Sequence, residues 1–593
     1  NFRAGVNAGN SIASGGNYNV AVGDEAGTAI TTGDNNVAVG YKSLEDNTTG
    51  SSNTALGYSA LEANTTADDN VAVGYKALEI NTTGASNTAL GKQALQSNTT
   101  ASNNTAVGTS ALYANTTGTG NTAVGQGAGA AVTTGTNNTI VGKLAGDAIT
   151  TGDANVAIGE DALSSTTTAD SNVAIGQGAM EANTTGANNV AVGSAALDAN
   201  TTASNNTAVG YVALGANTTG VVNTAVGSTA LDANTSGGYN TAMGYASLSA
   251  NTTANNNTAL GYSSLAANTT GAGNVAVGAQ ALLASTTGAS NTAVGYNSGA
   301  ANTTGTQNVA VGALALDANT TASNNVAVGY GALTREDVGS ANVAVGQGTL
   351  ANQNTASAAS IYNTAVGHLA GTEVTTGVQN TLIGGLAGDA LTVGEKNIAL
   401  GYVALSSDTQ GSKSTALGYA ALNAQNFTSA TDTFNTAIGF EAGGAVTTGT
   451  NNTLIGGLAG DAITTASNNT AVGVSALTTN TSGTDNTAVG GHAGAGNTTG
   501  SKNVAVGQSA LYTNTTGADN TAVGKDALIA NTTGASNVAV GYLALDANTT
   551  ASYITAVGEK ALSANTTGAK NTAIGRATLQ ATTTQSNNTA VGY

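Results

Sequence analysis

The apolar positions of this chain recur with a fixed period of seventeen residues. In each period a five-residue block, most often Asn-Thr-Ala-Val-Gly, ends in a glycine, as at Gly23 and Gly40. The step of seventeen runs along nearly the whole chain, and only the intervals Gly346–Gly367 and Gly418–Gly439 measure twenty-one residues. A short fixed period predicts a solenoid, in which each repeat buries its apolar side chains only against its neighbours.

One repeat can be numbered so that the five-residue block occupies positions one to five. Residues 70–86 are typical and read Asn-Val-Ala-Val-Gly-Tyr-Lys-Ala-Leu-Glu-Ile-Asn-Thr-Thr-Gly-Ala-Ser. The first block predicts a strand, the Ala-Leu segment a second short strand, and Asn-Thr-Thr-Gly a turn. Helical repeats are longer, at roughly 33–47 residues, and Gly and Asn-Thr-Thr disfavour a helix. We therefore predict an all-β fold, a parallel β-roll or β-solenoid with 17-residue coils.

The unbroken phase predicts one continuous array over residues 1–593, with about 34 coils. Four-residue insertions fall within 348–362 and 420–434, and the period resumes after each. We expect them to bulge from a corner as loops, because loops tolerate insertions and carry contacts. They are candidates for ligand or partner contact, and a neutral insertion is the alternative.

The alternation of side chains along a strand places positions two and four on one face and position three on the other. Position four is large and apolar along the chain, which predicts that it faces the interior. Position three is nearly always Ala, with the larger Ile140, Leu382 and Leu454 as exceptions. We expect this small apolar column to face outward and pack against sister chains. The alternative is a monomeric roll with an alanine stripe.

Two polar columns accompany the apolar ones. Position one is Asn in nearly every coil, with Ser414 and Ile554 as departures, and position twelve is mostly Asn, as at Asn47. Stacked at about 4.8 Å, these amides are expected to form ladders that satisfy one another and the corner backbone. Asn-Thr-Thr also matches the N-glycosylation pattern, so glycans on these sites are a further expectation. Stacked threonines leave an ice-binding solenoid as a minor alternative.

Seven coils share a substitution, in which Leu at position nine becomes Gly and Asn at position twelve becomes apolar. We expect the second change to replace the volume lost in the first. Six of the seven form adjacent pairs. The coils contain Gly27 with Ile30, Gly129 with Val132, Gly146 with Ile149, Gly371 with Val374, Gly388 with Leu391, Gly443 with Val446, and Gly460 with Ile463.

Composition excludes several classes of protein. The formal net charge is −19, and thirteen dispersed Lys and Arg residues cannot form a nucleic-acid surface. Cysteine is absent, so neither disulfides nor a thiolate metal site can form. Proline is also absent, as expected for continuous strand ladders. The sequence contains no apolar run of about 18 residues, so no membrane span is predicted. No signal peptide is visible in the residues from Asn1 and the sequence stops in mid-repeat at Tyr593, so we expect a piece of something longer or a processed product.

No constellation of catalytic residues is visible. The two histidines, His368 and His492, lie seven coils apart, and neither is accompanied by a nucleophile and an orienting group. Acids recur at position ten, as at Glu45 and Asp198, without the Gly-Gly-x-Gly-x-Asp pattern of calcium-binding rolls. We therefore expect no enzyme activity, no catalytic or metal-binding residues and no cofactor.

The block Asn-Asn-Val-Ala-Val-Gly at 35–40 and 324–329, shortened at 189–193, resembles the head repeat of trimeric autotransporter adhesins of the YadA-like type. The resemblance covers nearly the whole chain. It implies a left-handed parallel β-roll, three of which assemble into an adhesin at the cell surface. The family's spacing is usually shorter and less regular, and no neck, stalk or anchor is visible. Similar repeats also occur in tail fibres of bacterial viruses.

These observations predict an extracellular, fibrous adhesin-type protein, a rigid rod that presents one surface many times. Such repetition gives avidity without strong individual contacts. The expected partners are two sister chains and a host surface or matrix receptor. A bacteriophage tail fibre and an end-to-end extracellular filament are the alternatives.

Overall fold

The computed structural model describes residues 1–12 and 15–593 of the chain. The chain divides into two compact units, Asn1–Asn291 and Thr292–Tyr593. Each unit is a parallel β-solenoid, and the described residues contain strands and turns but no helix. The predicted fold class and the 17-residue coil are thus confirmed. Strands in successive coils pair in parallel and in register, as in Val37↔Thr54 and Val39↔Leu56.

Nearly every coil contributes one three-residue strand, at positions two to four. The strands of the first unit are β1 Phe2–Ala4, β2 Val20–Val22, β3 Val37–Val39, β4 Thr54–Leu56, β5 Val71–Val73, β6 Thr88–Leu90, β7 Thr105–Val107, β8 Thr122–Val124, β9 Thr139–Val141, β10 Val156–Ile158, β11 Val173–Ile175, β12 Val190–Val192, β13 Thr207–Val209, β14 Thr224–Val226, β15 Thr241–Met243, β16 Thr258–Leu260 and β17 Val275–Val277.

The second unit repeats this arrangement and adds two short strands, β25 and β27, beside an insertion. Its strands are β18 Thr292–Val294, β19 Val309–Val311, β20 Val326–Val328, β21 Val343–Val345, β22 Thr364–Val366, β23 Thr381–Ile383, β24 Ile398–Leu400, β25 Gly411–Ser412, β26 Thr415–Leu417, β27 Thr431–Asp432, β28 Thr436–Ile438, β29 Thr453–Ile455, β30 Thr470–Val472, β31 Thr487–Val489, β32 Val504–Val506, β33 Thr521–Val523, β34 Val538–Val540, β35 Thr555–Val557, β36 Thr572–Ile574 and β37 Thr589–Val591.

The Ala-Leu segment forms tandem turns, so the prediction of a second strand in each coil is wrong. Its leucine adopts a left-handed backbone, with φ of 54° at both Leu44 and Leu61. This conformation is unfavourable for a side chain with a Cβ. It persists because backbone hydrogen bonds join the coils here as well. The Leu44 N–H donates to the Ala60 carbonyl of the next coil at 3.0 Å, and the Lys42 N–H to the Asp24 carbonyl of the preceding coil at 3.0 Å.

The two faces of the strand are the reverse of those predicted. The position-three residues Ala38 and Ala55 are fully buried, whereas Leu56 at position four is 46% exposed. The alanine column therefore lies in the core and does not contact sister chains. The reason is the opposite wall of the coil, which is formed by the turns at positions eight and nine. Ala60 and Leu61 at these positions are also fully buried. The large leucine side chain fills most of the core, which leaves room for only a methyl group from the strand.

The predicted amide ladders are confirmed, and they hold the corner at positions twelve to fifteen. Asn36 Oδ1 accepts a hydrogen bond from the Asn53 N–H at 3.0 Å, and Asn36 Nδ2 donates to the Gly50 carbonyl at 2.9 Å. In the second column, Asn64 Nδ2 donates to Asn47 Oδ1 at 2.8 Å and to a carbonyl of its own turn at 3.1 Å. These amides are fully buried, so each ladder satisfies groups that water cannot reach.

Burial of the position-twelve amides corrects the expectation of glycans on Asn-Thr-Thr. Asn47 and Asn64 have no exposed surface, and their amide nitrogens already donate hydrogen bonds inside the coil. A sugar attached to such a nitrogen would occupy the core and break the ladder. Glycans at these sites are therefore incompatible with the folded coil.

The paired variant coils show the expected volume exchange together with a third partner. Leu382 is fully buried between Gly371 of the preceding coil and Gly388 of its own. A Cβ at these two glycines would lie 2.6 Å and 2.8 Å from the Leu382 Cδ atoms. Ile140 and Leu454 occupy the same place in the other two pairs. Leucine adopts a similar φ at position nine in other coils, so the glycines are required by volume and not by the backbone.

Candidate functional site

In each unit, the outer face of the strands carries an uncharged surface. Its side chains come from positions two and four, and from Asn19 onward no coil has a charged residue at either position. We call this surface the outer strip. Its most exposed large side chains include Leu56 and Leu90, each 46% exposed, and Leu260, 44% exposed. Position four is apolar in every one of these coils, and position two is Val, Ile or Thr. A row of exposed apolar side chains is typical of an interaction site.

Exposed aromatic residues at position six follow the strip in several coils. Tyr41, Tyr58 and Tyr75 form a stack with ring centroids 5.2 Å and 5.3 Å apart. Tyr419 stacks on Phe440 at 5.2 Å in the second unit. Because adjacent rings cover each other's faces, the stacks present ring edges to solvent. They enlarge the apolar surface beside the outer strip.

A duplicated segment in the second unit interrupts the regular repeat. Residues 325–396 and 397–468 each consist of four coils, and each contains one inserted loop. Both copies contain the identical segment Asn-Thr-Leu-Ile-Gly-Gly-Leu-Ala-Gly-Asp-Ala, at 380–390 and 452–462. The sequence prediction placed the two insertions and the paired glycines but missed that together they form one repeated module.

A buried carboxylate holds the first inserted loop. Glu336 occupies position twelve, where most coils have Asn, and it is fully buried. Its Oε1 accepts hydrogen bonds from the Gly339 N–H at 2.6 Å and from Thr355 Oγ1 at 3.0 Å. Its Oε2 accepts from Gln353 Nε2 at 2.8 Å, and Gln353 Oε1 accepts from Asn363 Nδ2 at 2.9 Å. The hydrogen-bonded pair of Glu336 and Gln353 thus links the loop to three successive coils.

The second loop is held by a similar pair, with an aspartate in place of the glutamate. Asp408 Oδ2 accepts from Gln425 Nε2 at 2.6 Å, and Asp408 Oδ1 accepts from the Phe427 N–H at 3.0 Å. Gln425 Oε1 accepts from Asn435 Nδ2 at 2.9 Å. Burial raises the pKa of the Asp408 carboxyl, although its hydrogen bonds oppose that change. Within residues 1–12 and 15–593, neither this carboxylate nor that of Glu336 forms an ion pair.

We expect Glu336→Gln to lower the free energy of local opening of the first loop by about 1–3 kcal/mol. Every group around the carboxylate is a hydrogen-bond donor, so one of these donors would face the new NH₂ group. Hydrogen exchange of the Gly339 and Thr355 amides measures the effect. The double variant E336Q/Q353E reverses the pair and restores donor–acceptor matching, so it should recover protection. Equal exchange in the wild type and E336Q would contradict this role for the carboxylate.

Acids at position ten form a second group of half-buried carboxylates. The Oδ1 atoms of Asp232, Asp317, Asp389 and Asp546 are buried and have no hydrogen-bond partner. Burial is the main cause of a raised pKa at this position. The affected carboxyls are Asp147, Asp198, Asp232, Asp317, Asp389 and Asp546.

These shifts predict a solenoid that becomes more resistant to denaturant as the pH falls from 7 to about 5. An acid whose pKa is raised on folding binds protons more tightly in the folded state. The free energy of unfolding therefore falls as the pH rises through the interval above the unfolded value of 3.8. The measurement is the guanidinium midpoint of the far-ultraviolet signal at both pH values. D198N/D232N should reduce the difference, and a midpoint that falls on acidification would contradict the prediction.

No constellation typical of a catalytic or metal centre accompanies these features in the described residues. His492 packs edge-on against Tyr512, with ring centroids 6.2 Å apart. The part of the chain that the structure describes holds no group of three His, Asp or Glu residues that could bind a metal ion. The same residues include no helix suited to crossing a membrane.

Comparison with known proteins gives no family assignment. A scan against protein-family models finds no match, and no curated protein is similar enough to count as a relative.

Proposed function

We propose that the chain is an extracellular, fibrous, adhesin-type protein whose copies associate into a homotrimer through the outer strip. The observation that supports the proposal is the absence of charge from positions two and four in every coil from Asn19 onward. A solvated face would accumulate charged side chains over so many repeats. This one keeps Val, Ile, Leu, Met and Thr.

A sister chain is the partner that best fits the strip. A partner in contact at every coil must repeat its own contacts at about 4.8 Å, the spacing of paired strands. Another copy of this chain has that spacing. In the first unit the strip is roughly 75 Å long and about 10 Å wide, or about 750 Å². Stable interfaces bury about 800 Å² per partner, and in a trimer each strip is shared between two neighbours, so the strips of both units are needed for the assembly.

Association through the strip leaves the turns of each coil facing outward. Most of the charged side chains lie in these turns, at positions six, seven, ten, eleven, sixteen and seventeen. The same turn chemistry is presented again in coil after coil. A receptor with several matching sites would be held by avidity, even where each contact is weak.

The test is the mass of the purified chain in solution by light scattering, together with negative-stain images. Three chains of 56.7 kDa in one elongated particle support the proposal. A stable monomer at micromolar concentration contradicts it. Filaments of indefinite length would instead favour end-to-end assembly.

A further inference from the structure

The pattern Asn-x-Ser/Thr occurs at two places in the repeat, and the structure separates them. One set starts at position twelve and is fully or almost fully buried. It consists of Asn47, Asn64, Asn81, Asn98, Asn115, Asn183, Asn200, Asn217, Asn234, Asn251, Asn268, Asn302, Asn319, Asn480, Asn497, Asn514, Asn531, Asn548 and Asn565. The other set is exposed and starts at position seventeen or, once, in an inserted loop. It consists of Asn103, Asn137, Asn205, Asn256, Asn426, Asn451, Asn468 and Asn587.

The two sets differ in where their two key side chains lie. In the first, the Asn amide is inside the coil and the threonine two residues later is outside, as for the buried Asn64 and the exposed Thr66. In the second, Asn103 is exposed, Asn104 is buried and Thr105 at position two lies on the outer face. Only the second arrangement offers the amide nitrogen and the hydroxyl to one enzyme from the same side.

The backbone supports the same distinction. Position seventeen adopts a left-handed conformation, with φ of 62° at Asn103 and 57° at Asn137. Asparagine tolerates this region better than most residues, and the turn pushes its side chain away from the strand ladder. The amide nitrogens of position twelve instead donate into the ladder, as Asn64 Nδ2 does at 2.8 Å to Asn47 Oδ1.

We propose that the folded chain is an acceptor for N-linked sugars at the eight exposed asparagines and not at the buried Asn-Thr-Thr sites. The donor is a nucleotide-activated sugar. The Asn Nδ2 forms a bond to the anomeric carbon, the bond from that carbon to the nucleoside diphosphate breaks, and an amide proton passes to a base of the transferase. Thr105 and the other position-two threonines belong to the outer strip, which the proposed trimer would cover, so the acceptor is the folded chain before it assembles.

The chain contains its own controls. Asn35, Asn188 and Asn324 are exposed at position seventeen with φ of 58–61°, like the proposed acceptors. Each is followed at position two by Val instead of Thr. They match the acceptors in exposure and backbone and lack only the hydroxyl, so they should remain unmodified.

The experiment incubates the folded full-length chain, kept monomeric by the outer-strip substitutions L56E/L90E, with a soluble N-glycosyltransferase and UDP-glucose, and maps hexose by peptide mass spectrometry. The expected result is hexose on the exposed set alone, with Asn-Thr-Thr sites modified only after denaturation. Hexose on Asn-Thr-Thr peptides of the folded chain would overturn the proposal. So would a folded chain that stays unmodified at Asn103 while the denatured chain is modified there.

Two single substitutions sharpen the test without disturbing the fold, because Val and Thr both occur at position two. Thr105→Val should abolish modification of Asn103, and Val190→Thr should create an acceptor at Asn188. Unchanged occupancy at both positions would show that the hydroxyl is not read and would overturn the proposal.

Discussion

Replacing Leu382 with alanine should destabilise the surrounding coils by about 3–5 kcal/mol, near the upper end of large-to-small core substitutions. Leu382 is fully buried and faces glycine at position nine in its own coil and in the preceding one. Neither Gly371 nor Gly388 has a side chain that could move into the cavity. The cost should therefore exceed that of Leu→Ala at position nine of an ordinary coil, where other side chains can relax.

The measurement is hydrogen exchange of the amides in β22 and β23, because repeat arrays open locally. Strands far from this pair, such as β34, provide the reference within the same molecule. A fivefold variant, L382A/G371L/G388L/V374N/L391N, converts both coils to the ordinary arrangement. It should recover most of the lost protection, although each of its leucines alone would clash with Leu382 in the wild type. Strict additivity of the five changes would contradict the shared-volume explanation.

The sequence was sufficient for the coil and its polar columns because both depend on periodicity alone. Seventeen residues with a strand block and turn chemistry leave few alternatives to stacked coils. Asn36 and Asn47 recur at fixed positions, and like amides stacked at strand spacing can only form ladders. Tertiary packing was not needed for either prediction.

The face of the strand could not be predicted in the same way. Hydrophobicity favoured position four as the core, yet Ala38 is buried and Leu56 is 46% exposed. Which face is inside depends on how much of the interior the opposite wall fills, and that wall is formed by Leu61 with a left-handed backbone. Propensity gives no reason to expect a leucine in that conformation, so the second strand was predicted where turns occur.

The inserted loops show a signal that sequence reasoning missed. Position twelve is acidic in only two coils, at Glu336 and Asp408, and in each case the next coil has Gln there, at Gln353 and Gln425. In each pair the acid lies in the coil before the 21-residue coil, and the glutamine lies in the 21-residue coil itself. The repetition of the pair with the 72-residue module could have indicated a shared hydrogen-bond network. The geometry of this network, in which the carboxylate accepts every hydrogen bond it forms, could be seen only in the structure.

The double substitution L56E/L90E should weaken self-association at least about 100-fold, which corresponds to about 2.8 kcal/mol. Both leucines belong to the outer strip and are 46% exposed in the single chain. The fold should therefore tolerate a carboxylate at either place, since it reaches water. In the proposed trimer, each carboxylate would be buried beside its copies, at the cost of desolvation and repulsion between like charges.

The matched control is T66E/T100E, which places the same charges in the same two coils at the exposed corner. It should leave the mass in solution unchanged. Circular dichroism of all three proteins shows whether the coils are intact, so lost assembly can be distinguished from lost folding. A trimer that survives L56E/L90E would remove the outer strip as the interface. Because the alanine column is buried in the core, the contacts between copies would then have to come from the turns at positions six to eleven and sixteen to seventeen, where most of the charges of this chain lie.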